Sequence, residues 1–254
     1  MKKLLLALTA VTAFTGSAIA ADLPARTYTK VPPPVVAPIY SWAGFYIGLN
    51  GGGGSSHKCW NIEQSGPRFF PDNPEGCHDA TGGTVGGQVG YRWQMTNWVF
   101  GLEAQGNWAN FKGSNLNSLA GTTFAAGQTD ESKIQSFGLF TGQVGYAWNN
   151  VLWYVKGGAA VVSDKYRTYT PAIPLLDSAS ETRWGGTVGT GIEFGFAPHW
   201  SVAFEYDHLF MGSRNVTANS RSGAFSTVDS IRQDVDIGTV RVNYTFGGPV
   251  VAKY

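Results

Sequence analysis

Asp236-Ile-Gly-Thr-Val-Arg-Val-Asn-Tyr-Thr-Phe246 is the most informative stretch of the chain. Successive side chains of an extended strand point to opposite faces. Gly238, Val240, Val242, Tyr244 and Phe246 therefore share one face, while Ile237, Thr239, Arg241, Asn243 and Thr245 share the other. One surface is apolar and ends in aromatics; the other is mostly polar. Alternation alone does not say whether lipid or a protein core covers the apolar surface.

The pattern recurs upstream. Trp98, Phe100, Leu102, Ala104 and Trp108 alternate with Val99, Gly101, Glu103, Gln105 and Asn107, and Gly87–Trp93 matches Gly142–Trp148 at six of seven positions. Eight strands are predicted, at 41–53, 82–93, 98–108, 134–148, 151–161, 183–196, 200–208 and 231–246. In the first, Ala43, Phe45, Ile47 and Leu49 oppose Gly44, Tyr46, Gly48 and Asn50, and with Trp42 and Tyr46 also aromatic its facing stays open. Short connections at 94–97, 149–150 and 197–199 alternate with long ones at 54–81, 109–133, 162–182 and 209–230. An all-β, eight-stranded antiparallel up-and-down transmembrane β-barrel is expected, because short inner turns and long outer loops mark outer-membrane barrels.

Composition agrees. The 254 residues include 34 Gly, 14% aromatic and only 14% charged residues, against about 25% charged in soluble domains. Lys2 and Lys3, the apolar run 4–14 and Ala18-Ile19-Ala20 read as a signal peptide over 1–20. A Pro-rich periplasmic lead-in over 21–40, with Pro32-Pro33-Pro34, cannot serve a sheet ladder. The barrel is expected at 41–246 and a C-terminal tail at 247–254. The 18 basic residues, less Lys2 and Lys3, against 17 acidic ones leave a net charge of −1. That balance argues against nucleic acid as a partner.

Size sets the sidedness. An eight-stranded barrel has a bore only just wide enough for side chains, so bulky apolar residues are expected outside and small, polar and charged ones inside. Aromatics crowd the short-turn ends as Trp93, Trp98, Trp148, Trp153, Phe196, Trp200, Tyr244 and Phe246, which reads as an interfacial girdle. Arg92, Glu103, Lys156, Glu193, Glu205 and Arg241 fall on the inner face with both signs present. They form either a salt-bridged plug or the filter of a narrow porin. Open channels belong to barrels of about 16 strands, so little conductance is expected.

Cys59 and Cys77 share the first long loop of an exported chain, which favours a disulfide, although the flanking His57 and His78 would also suit a metal. His208, near the outer rim, with Ser213 nearby, is the one hint of lipid hydrolysis or acyl transfer, but nothing marks a nucleophile. The Gly51–Gly54 run ends a strand and is no phosphate cradle. No catalytic residue, metal ligand or cofactor site is expected, and the chain is not read as an enzyme.

Several segments resemble the small outer-membrane β-barrel proteins of alphaproteobacteria, identified as porin-family or OmpA-like barrels: Ala21-Asp22-Leu23-Pro24 after the signal, Trp42–Gly48, Asn97–Glu103, the Gly-Gln-Val-Gly-Tyr repeats and Val242–Phe246. The resemblance implies an abundant envelope protein in the outer membrane, linked to envelope integrity, host interaction or haem binding. No loop residue carries haem binding over. It also implies that Val240, Val242, Tyr244 and Phe246 present the signal read by the barrel-assembly machinery, with Tyr254 a competing terminal aromatic. The partners expected are outer-membrane lipid and lipopolysaccharide, that machinery, and a host or extracellular ligand at the loops.

Overall fold

A computed structural model describes residues 40–121, 126–172, 177–220 and 226–247. The signal sequence expected at 1–20, the lead-in expected at 21–40 except Tyr40, and the tail expected at 247–254 except Gly247 lie outside the described residues. Eight strands follow one another: β1 Gly44–Ser65, β2 Arg68–Met95, β3 Trp98–Leu116, β4 Thr129–Trp148, β5 Val151–Tyr169, β6 Asp177–Ala197, β7 Trp200–Ser220 and β8 Ser226–Phe246. Each pairs antiparallel with the next, and β8 pairs back onto β1 to close the ring. Closure leaves no sheet edge, as a sheet in lipid requires.

β8 behaves as its alternation demands. Val240, Val242 and Phe246 are exposed on the outside, whereas Thr239, Arg241, Asn243 and Thr245 are buried in the bore. β3 does the same, with Trp98, Phe100 and Leu102 outside and Val99, Glu103, Gln105 and Asn107 inside. The open facing of β1 resolves with Phe45, Ile47 and Leu49 outward and Tyr46 buried. Gly90 makes this possible: a Cβ there would lie 2.6 Å from the Tyr46 ring. Glycine lets the ring lie flat against the wall. Gly191 does the same for Tyr154.

Three two-residue turns close the hairpins at one end, and each carries a residue in the left-handed region: Thr96 (φ 57°), Asn149 (φ 53°) and His199 (φ 69°). The last turn residue then bonds to a neighbouring strand. Asn97 O accepts from Ala147 N at 2.7 Å, Asn150 O from Gly195 N at 2.8 Å and His199 O from Thr245 N at 2.8 Å. These bonds tie the first hairpin to the second, the second to the third, and the third to β8.

The opposite end differs from expectation. The regions 54–81, 109–133, 162–182 and 209–230, expected as long loops, are mainly ladder. β1 and β2 stay paired up to Ser65↔Arg68, and strands of 19 to 28 residues far exceed the roughly 9–11 needed to cross a bilayer. Where the wall leaves lipid, its outer face meets water and the amphipathic phase inverts. Trp60, Ile62, Phe111, Tyr166, Val216 and Ile231 turn inward, while His57, Asp79 and Lys112 turn outward. Register shifts at Trp108/Phe111, Ile134/Ser136 and Phe210/Gly212 lie near this level. These shifts exchange the faces of β4 and β7, whereas in β1, β3, β5 and β8 the facing runs on unchanged, so that Phe111 lies on the same side as Glu103 and Ile231 on the same side as Arg241, and the inversion there is one of side-chain chemistry.

The bore is accordingly not only small and polar. Phe111, Ile134, Phe137, Leu139, Leu209, Val235 and Ile237 form a buried apolar cluster inside it. Burying each such side chain contributes about 1.5–3 kcal/mol.

Candidate functional site

From the turn end upward the bore is filled in layers. Trp42 closes the first. Its backbone N–H donates to Gln94 Oε1 at 2.9 Å, its indole N–H donates to Asn149 O at 3.3 Å, and Tyr40 packs against it with ring centroids 4.5 Å apart. Val99, Ala147, Leu152 and Tyr154 complete this apolar lid.

The next two layers hold all six charges expected in the lumen, and every one is buried. Arg92 reaches Glu193 across the bore at 2.8 Å and stacks over the Tyr46 ring at 4.3 Å. Glu193 also accepts from Ser201 and, at 2.9 Å, from Asn243. Above it Arg241 bridges Glu103 and Glu205. Lys156 lies 2.7 Å from Glu205, 3.4 Å from Glu103 and 3.3 Å from Asp207. The hydroxyls of Tyr46 and Tyr154, placed by their glycines, donate to Glu103 and Glu205 at 2.6 Å each. Three cations thus face four carboxylates, held by opposite charge and hydrogen bonds as buried ions must be.

An amide layer follows. Asn107 donates to Asn50 at 2.6 Å, Asn50 to Gln88 at 2.7 Å and Gln88 to Asn243 at 2.7 Å. The apolar cluster lies over it, and above that comes a second ionic layer. Lys58 meets Asp164 at 2.6 Å, and Arg183 lies 3.9 Å from Asp164 and 3.0 Å from Glu181. Burial lowers the Lys58 ammonium's affinity for its proton, and Asp164 offsets this in part. This second layer was missed in the sequence because Lys58 and Asp164 sit in stretches read as loops. Asp207 shares the inward phase of Glu205 on β7 and joins it as a partner of Lys156.

Near the open rim Asn117 donates to Glu75 at 2.8 Å and to Asp130 at 2.9 Å. Burial, and then the neighbouring Asp130, raise the Glu75 carboxyl to about 7, against the pull of the Asn117 amide.

Cys59 and Cys77 face one another across the β1–β2 ladder and are joined as a disulfide. The two histidines beside them part company. His57 is outward, 2.7 Å from Asp79, whereas His78 turns into the bore between Asn115 (2.6 Å) and Ser132 (2.5 Å). His57 stays beside the two sulfurs, with Nε2 3.5 Å from Cys59 Sγ, but His78 does not join them, because adjacent strand positions face opposite ways, and the sulfurs are taken up by the disulfide. His208 is not at the rim, since β7 continues to Ser220. Its Nδ1 lies 2.7 Å from Asp236, which also accepts from Tyr206 at 2.5 Å. Ser213 is further along β7, past the Phe210/Gly212 register shift.

Trp93, Trp98, Trp148, Trp153, Phe196, Trp200 and Phe246 are exposed on the outside at the turn end, with Tyr244 edge-on to both Trp200 and Phe246. Val240 and Val242 continue that outward line along β8. A second aromatic set, Trp108, Phe140, Trp184 and Phe210, lies exposed higher up, with Phe140 stacked on Trp184 at 6.3 Å. The sequence signals it less plainly, because these aromatics sit away from the short turns. At about 3.3 Å per residue and a tilt near 40°, the rise from Trp98 to Trp108 is about 25 Å, the height of an outer-membrane apolar band.

A closed antiparallel ring with large apolar side chains outside, aromatics at both margins and ions inside is an outer-membrane β-barrel. The chain belongs to the outer membrane protein beta-barrel domain family, which matches residues 6–246. It is 32% identical to the 31 kDa outer-membrane immunogenic protein of Brucella melitensis over 97% of this chain and 100% of that one. To the 25 kDa outer-membrane immunogenic protein of Brucella ovis it is 30% identical, over 88% of this chain and 96% of that one. The crystal structure of the outer membrane protein OprG from Pseudomonas aeruginosa aligns with 84% of the chain at a TM-score of 0.48 and 11% identity.

Proposed function

We propose that this outer-membrane protein is a closed structural barrel that reinforces the envelope and displays its upper wall at the cell surface. The observation that supports this most is the continuous filling of the bore. The Trp42 lid, the Arg92–Glu193 pair, the Glu103–Lys156–Glu205–Arg241 cluster and the apolar cluster around Phe111 stand in series. A solute would have to break buried ion pairs and then displace packed hydrocarbon. The immunogenic designation of its Brucella relatives supports surface display. The reading includes removal of a leader ending at Ala20 and recognition of Val240, Val242, Tyr244 and Phe246 by the assembly machinery.

Planar-bilayer recording of the refolded protein tests the reading. Silence is expected, apart from rare transient events. A stable open level in most insertions would make the chain a narrow porin instead.

A further inference from the structure

Just above the apolar band, one row of the outer face has an unusual register. Lys112 on β3 is directly opposite Lys133 on β4, and Lys133 directly opposite Lys165 on β5. The inward neighbours Phe111, Ser132, Ile134, Asp164 and Tyr166 are all buried, so the three lysines share the outward face. Thr81 pairs with Lys112 on one side and Ser180 with Lys165 on the other, and both are outward and exposed. The row thus reads Thr, Lys, Lys, Lys, Ser across five adjacent strands.

Directly opposed like charges destabilise a sheet pair, and here two such pairs lie side by side. The ion pairs nearby go elsewhere. Asp79 is held by His57, and Asp234 by Arg232. Glu131, one outward position above Lys133, is opposite Arg167. Among the described residues the three lysines have no ionic partner. Height supplies the remaining fact. Trp108 and Val161, outward on β3 and β5, lie four residues below Lys112 and Lys165, a rise of about 10 Å for a tilted strand. That is the zone of the outer-leaflet headgroups.

We propose that Lys112, Lys133 and Lys165, flanked by the hydroxyls of Thr81 and Ser180, bind the phosphorylated headgroup of an outer-leaflet glycolipid. The anion relieves the repulsion within the row, and the flanking hydroxyls add hydrogen-bond donors to its oxygens. This rests on the outer-membrane placement and is independent of whether the bore conducts.

The test uses the full chain in nanodiscs of neutral phosphatidylcholine, doped with diphosphoryl lipid A or with the same lipid dephosphorylated. The readout is the shift in unfolding temperature with lipid concentration. Wild type should be stabilised by the diphosphoryl lipid and not by the dephosphorylated one. The K112Q/K133Q/K165Q variant should bind at least fivefold more weakly, yet unfold no earlier than wild type in undoped discs, because its repulsion is gone. K133Q alone, at the centre of the row, should show a smaller loss and covers the case in which the triple variant fails to assemble. R214Q/R232Q, which removes two other exposed cations, should bind as wild type does. Loss of less than fivefold in the triple variant, equal loss in R214Q/R232Q, or full stabilisation by inorganic phosphate alone would each overturn the assignment.

Discussion

Replacing Arg241 by Met would remove the guanidinium that bridges Glu103 and Glu205, with little change of volume. Arg241 is wholly buried, and the cluster around it holds three cations, Arg92, Lys156 and Arg241, against the carboxylates of Glu103, Glu193, Glu205 and Asp207. Taking away one cation leaves two against four. Removing one member of a buried ion pair costs about 3–5 kcal/mol, since the partner is left uncompensated. At 2–4 °C per kcal/mol for a domain this large, the unfolding temperature should fall by roughly 10 °C. Glu103→Gln perturbs the same cluster in the opposite sense. It brings the count to three against three and keeps an oxygen for the Tyr46 hydroxyl, so its cost should be smaller, about 1.5–3 kcal/mol. The assay is urea unfolding in detergent micelles, followed by loss of the compact band in unboiled gels. The decisive quantity is the order of the two variants. Equal midpoints, or a Glu103→Gln protein weaker than Arg241→Met, would refute the idea that ionic balance in the bore supports the barrel.

Reducing the Cys59–Cys77 bond, or replacing both residues by Ser, should leave the membrane band folded while lowering stability by up to about 3 kcal/mol, the loop-closure figure for their 18-residue separation; an unchanged urea midpoint would count against it. Truncation after Phe246 should still give assembled barrel in outer-membrane fractions and Phe246→Ala should reduce it, whereas the reverse result would make Tyr254 the recognised residue. The rim should respond to acid. The Glu75 carboxyl, raised to about 7 from 4.5, holds its proton more tightly folded than unfolded, so stability falls as pH rises between those values. Amide exchange at Ser118, whose N–H donates to Glu75 O at 2.8 Å, should be slower at pH 5 than at pH 8 after correction for intrinsic rates. Glu75→Gln should remove most of that difference.

Sidedness inside the membrane was legible because a narrow bore and a lipid exterior impose opposite demands on alternate positions. Phe100–Trp108 and Gly238–Phe246 satisfy both demands without interruption. The disulfide and the facing of Arg92, Glu103, Lys156, Glu193, Glu205 and Arg241 followed from export and from strand phase. The upper wall was not legible, because above Gly54 the apolar set moves to the other phase. Lys58, Trp60 and Ile62 are inside while His57, Cys59 and Asn61 are outside. A search for outward greasy residues finds none there and reads a loop. In β4 the facing itself changes, from Ser132 and Ile134 inward to Phe137 and Leu139 inward, which breaks the alternation that would have extended the strand.

On the proposed surface display, the laddered upper wall would also determine what an antibody or host protein can touch. Side chains are offered every second residue, and lateral neighbours come from different strands: Cys77, Cys59 and Arg232 lie in one row. Peptides copied from this zone would expose both phases at once and lack those cross-strand companions, so antisera raised on linear fragments should recognise the boiled protein better than the intact cell.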